Sequence, residues 1–256
     1  MKRWFGLNVL LLGPAGSGKS SLAAEFGKFL MRQGADVGFI NLDPACDYVP
    51  YAPDFDIRSV VSARSVMKRE RLGPNAALLR SMRLMDKKRR EITKKLAKKR
   101  YAINLVDTPG QMELFVFQDV ADIVDAFEKP VVGVFLMPAD YLKNYSDFIT
   151  TRFLSIAAQL RLRIPVVNVV SKFDMVPPGS RKKINAVLKN PSLLKKRMVR
   201  GSDYGMREFL MKEIESLFAK SMKSSRMIKV SSKTKFGFEE LYDAIGEALC
   251  ECGDLS

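Results

Sequence analysis

Residues 13–20 read Gly13-Pro14-Ala15-Gly16-Ser17-Gly18-Lys19-Ser20, the G-x-x-x-x-G-K-[ST] spacing of a phosphate loop. Its glycines let the backbone curl so that N–H groups converge on one point. A helix opening at Lys19-Ser20-Ser21 adds its positive end to the same anion site. In such a loop Lys19 reaches the β/γ-phosphates and Ser20 ligates Mg²⁺. A second group lies in AINLVDTPGQME, residues 102–113, where an apolar run ends at Asp107. Asp107 is expected to hold the same Mg²⁺ beside Ser20, directly or through water. Gly110 is expected to lend its N–H to a γ-phosphate and to move when that phosphate leaves. A second acid, Asp43, ends the run VGFINLD. Asp43, Gln111 and, less directly, Glu113 are candidates to hold or activate the attacking water, and Asp43 is also a candidate metal ligand. As a bland alternative, Asp43 is a helix cap or strand terminus. The chain has no histidine, so any base is a carboxylate or a positioned amide.

Further along, VVSKFD (169–174) resembles the N-K-x-D signature by which GTPases read the base, with Ser171 where Asn is usual. There Asp174 would accept from guanine N1–H and N2–H₂ while the Lys172 stem covers the ring. Adenine offers neither donor, and an unsatisfied buried carboxylate costs about 1–3 kcal/mol or more. Ser171 predicts a loop-bracing contact that is shorter or lost. Val230-Ser231-Ser232-Lys233 resembles the last GTPase element, S-A-K, whose backbone touches the base. Between these motifs sits Gly73-Pro74-Asn75, which reads either as a turn starting a helix or as part of the chemistry.

In this order, GPAGSGKS, NLDPA, GPN and DTPGQME resemble the GPN-loop GTPases over essentially the whole chain. The resemblance implies a single P-loop domain, GTP/GDP and Mg²⁺ as ligands, and GTP hydrolysis in a homodimer or paralogue heterodimer. It also implies that the loop carrying Asn75 points into the partner's nucleotide site and contacts the phosphate. RNA polymerase or another protein client is the implied partner. Two residues depart from the pattern. Ala76 follows Asn75 where glycine is usual, which questions any need for a positive φ there. Ser171 makes guanine selectivity open to softening, so an ATPase stays as an alternative, as does a nucleotide-gated scaffold with slow hydrolysis. The chain ends soon after its last helix and resembles the compact archaeal form.

These groups need rigid elements beneath them. Short apolar runs recur at 7–12, 37–42, 102–106, 131–137, 165–170 and 227–231, without polar alternation, as strands buried on both faces do. Helical patterns lie between several of them, SSLAAEFGKFLMRQG and FEELYDAIGEAL being the clearest. The expectation is an α/β fold of the P-loop NTPase type: one domain over 1–256, a mostly parallel sheet with helices on both faces, and helical insertions at 48–99 and 175–225.

The 256 residues carry a net charge of +15, and it is local. Residues 80–100 hold a net +9 and residues 181–200 a net +8, leaving the rest near neutral. After Asn75, Leu78, Met82, Met85, Ile92 and Leu96 keep a helical spacing interrupted at Arg89, with basic residues on the other faces. Two readings stand: a packed helix with a solvated basic side, or an electrostatic footprint for RNA or an acidic protein. No aromatic residue interleaves these charges, which argues against a single-strand stacking platform. Nothing approaches the roughly 20 apolar residues of a membrane span. Three cysteines, with Cys250 and Cys252 near the end, are too few for a disulfide framework, and a cytoplasmic location fits.

Overall fold

A computed structural model describes residues 6–96, 101–117, 124, 127, 130–189 and 227–253. Seven parallel strands form one sheet: β1 (Leu7–Leu12), β2 (Val37–Asn41), β3 (Phe55–Asp56), β4 (Ile103–Asp107), β5 (Val131–Pro138), β6 (Val166–Ser171) and β7 (Met227–Lys229). Their order is β3-β2-β4-β1-β5-β6-β7. From central β1 the chain builds outward in one direction through β4, β2 and β3, and in the other through β5, β6 and β7. Ligands of open α/β sheets sit at the carboxyl ends of the strands where the order reverses, which here is the end of β1.

The sheet is buried on both faces, which explains why its strands read as continuous apolar runs. Along β1, Leu10 and Leu12 face one core while Leu7, Val9 and Leu11 face the other. The second core is closed by α1 (Lys19–Arg32), through Leu22, Phe26 and Leu30, and by α8 (Phe238–Gly253), through Leu241 and Ile245. Burying each such side chain contributes about 1.5–3 kcal/mol. In the middle of the sheet Asn8 and Asn104 are register partners on β1 and β4, and the Asn104 side-chain amide donates to Asn8 Oδ1 at 2.9 Å.

The first core is covered from the segment 48–99. It holds α2 (Ala63–Glu70), α3 (Pro74–Lys87) and α4 (Arg89–Leu96). The apolar stripe Leu78, Met82, Met85, Ile92 and Leu96 is buried as its spacing predicts, and the interruption falls at Lys88, the C-cap of α3. The segment is not purely helical, however. Phe55-Asp56 form β3, which pairs with Ile40-Asn41 at the sheet edge and extends it by a strand the apolar runs do not reveal. A short helix, α5 (Met112–Phe117), follows β4, and α6 (Tyr145–Leu162) packs between β5 and β6. Of the second basic segment the structure describes α7 (Pro178–Lys189); the expected features at 190–225 lie outside the described residues. No described helix is long and apolar enough to cross a membrane.

Candidate active site

The loop from β1 to α1 is built as its glycines require. Gly13 (φ +138°), Gly16 (φ +71°) and Gly18 (φ +94°) all take left-handed backbone. At Gly13 the space is also closed, because a Cβ there would stand 2.4 Å from the Leu136 carbonyl oxygen on β5. Lys19 is buried, and its ammonium donates to the carbonyls of Gly13 (2.8 Å) and Pro14 (3.1 Å). The cation is thereby held inside the loop it serves. Pro14, Gly18 and Ser20 are half-buried, Ala15, Gly16 and Ser21 are exposed, and the Ser17 hydroxyl is buried with no hydrogen-bond partner.

Asp107, at the end of β4, faces this loop. Burial pushes its carboxyl above the usual range; the Ser20 hydroxyl, a hydrogen bond from Tyr51 and the charge of Lys19 oppose that rise, and Asp43 adds to it. The Tyr51 hydroxyl donates to Asp107 Oδ2 at 2.9 Å. Oδ1 is buried and meets no hydrogen-bond partner of good geometry, although Ser20 is close enough to ease the carboxylate's charge. A buried carboxylate oxygen left over beside a serine hydroxyl fits a hard divalent cation with oxygen ligands. Among the described residues no group of three or more His, Cys, Asp or Glu gathers for a metal, here or elsewhere, so the carboxylate and the serine hydroxyl are the protein ligands on offer. Thr108, next in sequence, ties β4 to β1 through a 2.6 Å bond to the Leu11 carbonyl.

Asp43 bridges two elements. Its Oδ1 accepts from Ala45 N at 2.8 Å in a tight local turn, and its Oδ2 accepts from Gly110 N at 3.3 Å. The Gly110 N–H, expected at a γ-phosphate, is thus engaged with Asp43 here. Asn41 fixes this corner, accepting from Asp43 N (3.0 Å) and donating to Asp56 (3.1 Å) and to the Cys46 sulfur (3.2 Å). Arg58 closes it with a 2.6 Å ion pair to Asp56 and bonds to the carbonyls of Cys46 and Asp47. Burial pushes the Cys46 thiol up to about 11, so it is a neutral sulfur at neutral pH. Gln111 is exposed at the start of α5; Glu113 lies within α5, its side chain outside the described residues.

On the other side of the loop, β6 ends in Ser171. Its hydroxyl donates to the Ser17 carbonyl at 2.7 Å and lies 3.3 Å from the Met137 carbonyl. Of the two expectations, a bracing contact shorter or lost, the contact is kept: the shorter side chain reaches the phosphate loop directly. Lys172 takes left-handed backbone (φ +56°) and is exposed, its Cε 3.8 Å from where a Gly18 Cβ would be. Asp174 is half-buried, and Ser231, fully buried after β7, donates to its Oδ1 at 2.6 Å. Thr234 N in turn donates to Ser231 Oγ at 3.1 Å. The turn closes through Gly237 (φ +79°), where a Cβ would sit 2.0 Å from the Lys229 carbonyl oxygen. Ser232 is half-buried and Lys233 exposed.

Gly73 is the N-cap of α3 and Pro74 its first residue, so the helix-start reading holds; Asn75 is exposed on that first turn. Ala76 is helical and needs no positive φ. The left-handed residue of this segment is Arg71 (φ +54°), where α2 ends. The arrangement thus brings Lys19, Ser20, Asp107, Asp43, Gly110, Ser171, Lys172, Asp174 and Ser231 to one edge of the sheet, with Asn75 exposed on the first turn of α3. Tyr51, Asn41 and Thr108 were not legible as site residues. Tyr51 lies 56 positions from the carboxylate it touches, and only the fold joins them.

Comparison with known proteins agrees with this geometry. A family model described as "Conserved hypothetical ATP binding protein" matches residues 11–251. The chain is 32% identical to GPN-loop GTPase PAB0955 of Pyrococcus abyssi over 251 residues, covering 97% of this chain and 99% of that one. It is 32% identical to a GPN-loop GTPase 2 homolog of Dictyostelium discoideum over 67% of this chain and 56% of that protein. The crystal structure of PAB0955, a GTPase in apo form from Pyrococcus abyssi, superposes with a TM-score of 0.84 at 28% identity, over 96% of this chain and 98% of that chain. A parallel P-loop NTPase sheet, a GPN turn opening α3 and a full-length match converge on one conclusion: the chain belongs to the GPN-loop GTPase family.

Proposed function

We propose that this protein binds GTP at the edge of β1, β4 and β6 and hydrolyses it to GDP and phosphate with Mg²⁺, in a site completed by a second copy of the chain. The observation that carries the choice of base is Asp174, held by the Ser231 hydroxyl at the end of the sheet where Lys172 lies over the phosphate loop. A positioned carboxylate accepts from guanine N1–H and N2–H₂, whereas adenine would leave it unpaired. The family model's own description names ATP, which makes base selectivity the point to measure. Calorimetric titration should show GTP binding well above ATP, and Asp174→Ala should lower GTP affinity by roughly tenfold to a hundredfold while sparing ATP. Equal affinities in the parent protein would support the ATPase reading instead.

Ser20 and Asp107 would hold Mg²⁺, which when bound screens charge on the β- and γ-phosphate oxygens. The loop N–H groups and Lys19 stabilise charge that grows on the transferring phosphoryl group. The Gly110 N–H has two candidate acceptors, Asp43 Oδ2 and a γ-phosphate. When it turns to the phosphate, Asp43 Oδ2 is released to orient the attacking water beside Gln111, so the water is positioned only with a triphosphate in place. Asn75 would be lent by the partner copy as an amide donor. Arg83, Lys87, Lys88, Arg89, Arg90 and Lys94, all exposed on α3 and α4, would offer the switching unit a face for RNA or a polymerase-like protein client.

A further inference from the structure

We propose that Tyr51 is a positioning residue: its hydroxyl takes Oδ2 of Asp107 and so presents Oδ1 to the divalent cation. The assignment rests on the metal-dependent nucleotide site proposed above and specifies how that site is set. Three observations carry it. The Tyr51 hydroxyl donates to Oδ2 at 2.9 Å, an ordinary and directional contact. The other oxygen of the same carboxylate, Oδ1, is buried and has no hydrogen-bond partner of good geometry. The Tyr51 ring is itself anchored on the sheet, stacked on Phe39 of β2 with centroids 5.1 Å apart and planes 18° apart.

The physical reason for such a residue lies in the aspartate torsion. The terminal torsion of a carboxylate is broad and roughly two-fold, so an aspartate at a strand end does not choose by itself which oxygen faces the ligand. A donor fixed to one oxygen makes the choice. Because Phe39 and Asp107 lie on neighbouring strands, β2 and β4, the choice is built into the sheet and precedes nucleotide binding. Partners that orient a metal ligand typically contribute tenfold to a hundredfold in metal affinity.

The test is a Mg²⁺ titration of the full chain bound to a fluorescent GDP analogue, for parent, Tyr51→Phe, Asp107→Asn and the double variant. Phenylalanine keeps the stacked ring and removes only the donor. The expected result is a half-saturating Mg²⁺ concentration raised about tenfold or more in Tyr51→Phe, with nucleotide affinity in EDTA unchanged and a melting temperature lowered only by the few degrees that one lost hydrogen bond costs. In the Asp107→Asn background the same substitution should add nothing, since Tyr51 acts through that carboxylate. An unchanged half-saturation point, or equal losses in EDTA and in Mg²⁺, overturns the assignment. A parent that binds the nucleotide without any Mg²⁺ dependence refutes the metal site itself, and the role of Tyr51 with it.

Discussion

Ser171 shows how one side chain can stand in for another at a loop brace. Its hydroxyl is short, yet β6 carries it far enough to donate to the Ser17 carbonyl inside the phosphate loop. Leaving a buried carbonyl without its donor costs about 1–3 kcal/mol, so Ser171→Ala should weaken nucleotide binding roughly tenfold with little change in the preference for GTP. Calorimetry on the variant checks both, and a changed preference with unchanged affinity would contradict the bracing role. At this scale the sequence was most legible where function is local. Lys19, Ser20, Asp107 and Asp174 stand in short motifs whose spacing alone implies a backbone. Tyr51, Asn41 and Thr108 were hidden because an ordinary Tyr, Asn or Thr has no spacing to betray it. Their partners are chosen by strand neighbours and sheet edges far along the chain.

At the level of elements, six of the seven strands and the two flanking helices α1 and α8 could be read from apolar runs and a 3.6-residue period, since a sheet buried on both faces leaves a strong signal. β3 left none. Two residues, Phe55-Asp56, cannot show a period, and their pairing depends on the Asn41–Asp56 and Asp56–Arg58 contacts. The break between α3 and α4 was visible as an interrupted stripe, and α2 went unread because only Ala63 and Val66 of it are buried. The loop that joins β1 to α1 gives the sharpest test of an element. Gly13→Ala must meet both the left-handed φ and the Leu136 carbonyl oxygen at 2.4 Å. Strain of this kind costs of order 1–3 kcal/mol, and the phosphate cradle would shift with it. Thermal unfolding should fall by several degrees and GTP binding should drop severely; a variant that binds GTP as the parent does would contradict the cradle geometry.

For the whole molecule, the position of Asn75 decides the account. In one chain it is exposed on the first turn of α3, while the nucleotide groups gather at the strand ends. An exposed amide on the first turn of α3 is accessible to another copy, as the proposed composite site requires, and a two-fold pair would exchange two such residues. The family resemblance suggested this reading. What it could not show is that the α3 start is regular helix, with Gly73 as cap and Ala76 inside the first turn, so the turn presents Asn75 without strain. The most direct test is phosphate release from GTP by the parent, by Asn75→Ala, by Lys19→Ala and by an equal mixture of the two variants. A preorganised donor of this type contributes roughly 10²–10³ in rate, so each variant alone should be nearly inactive. In the mixture half the dimers pair one of each and hold one intact site, restoring about a quarter of parent turnover. Parent-level turnover by Asn75→Ala alone, or a mixture that stays at the level of its components, would contradict the composite site.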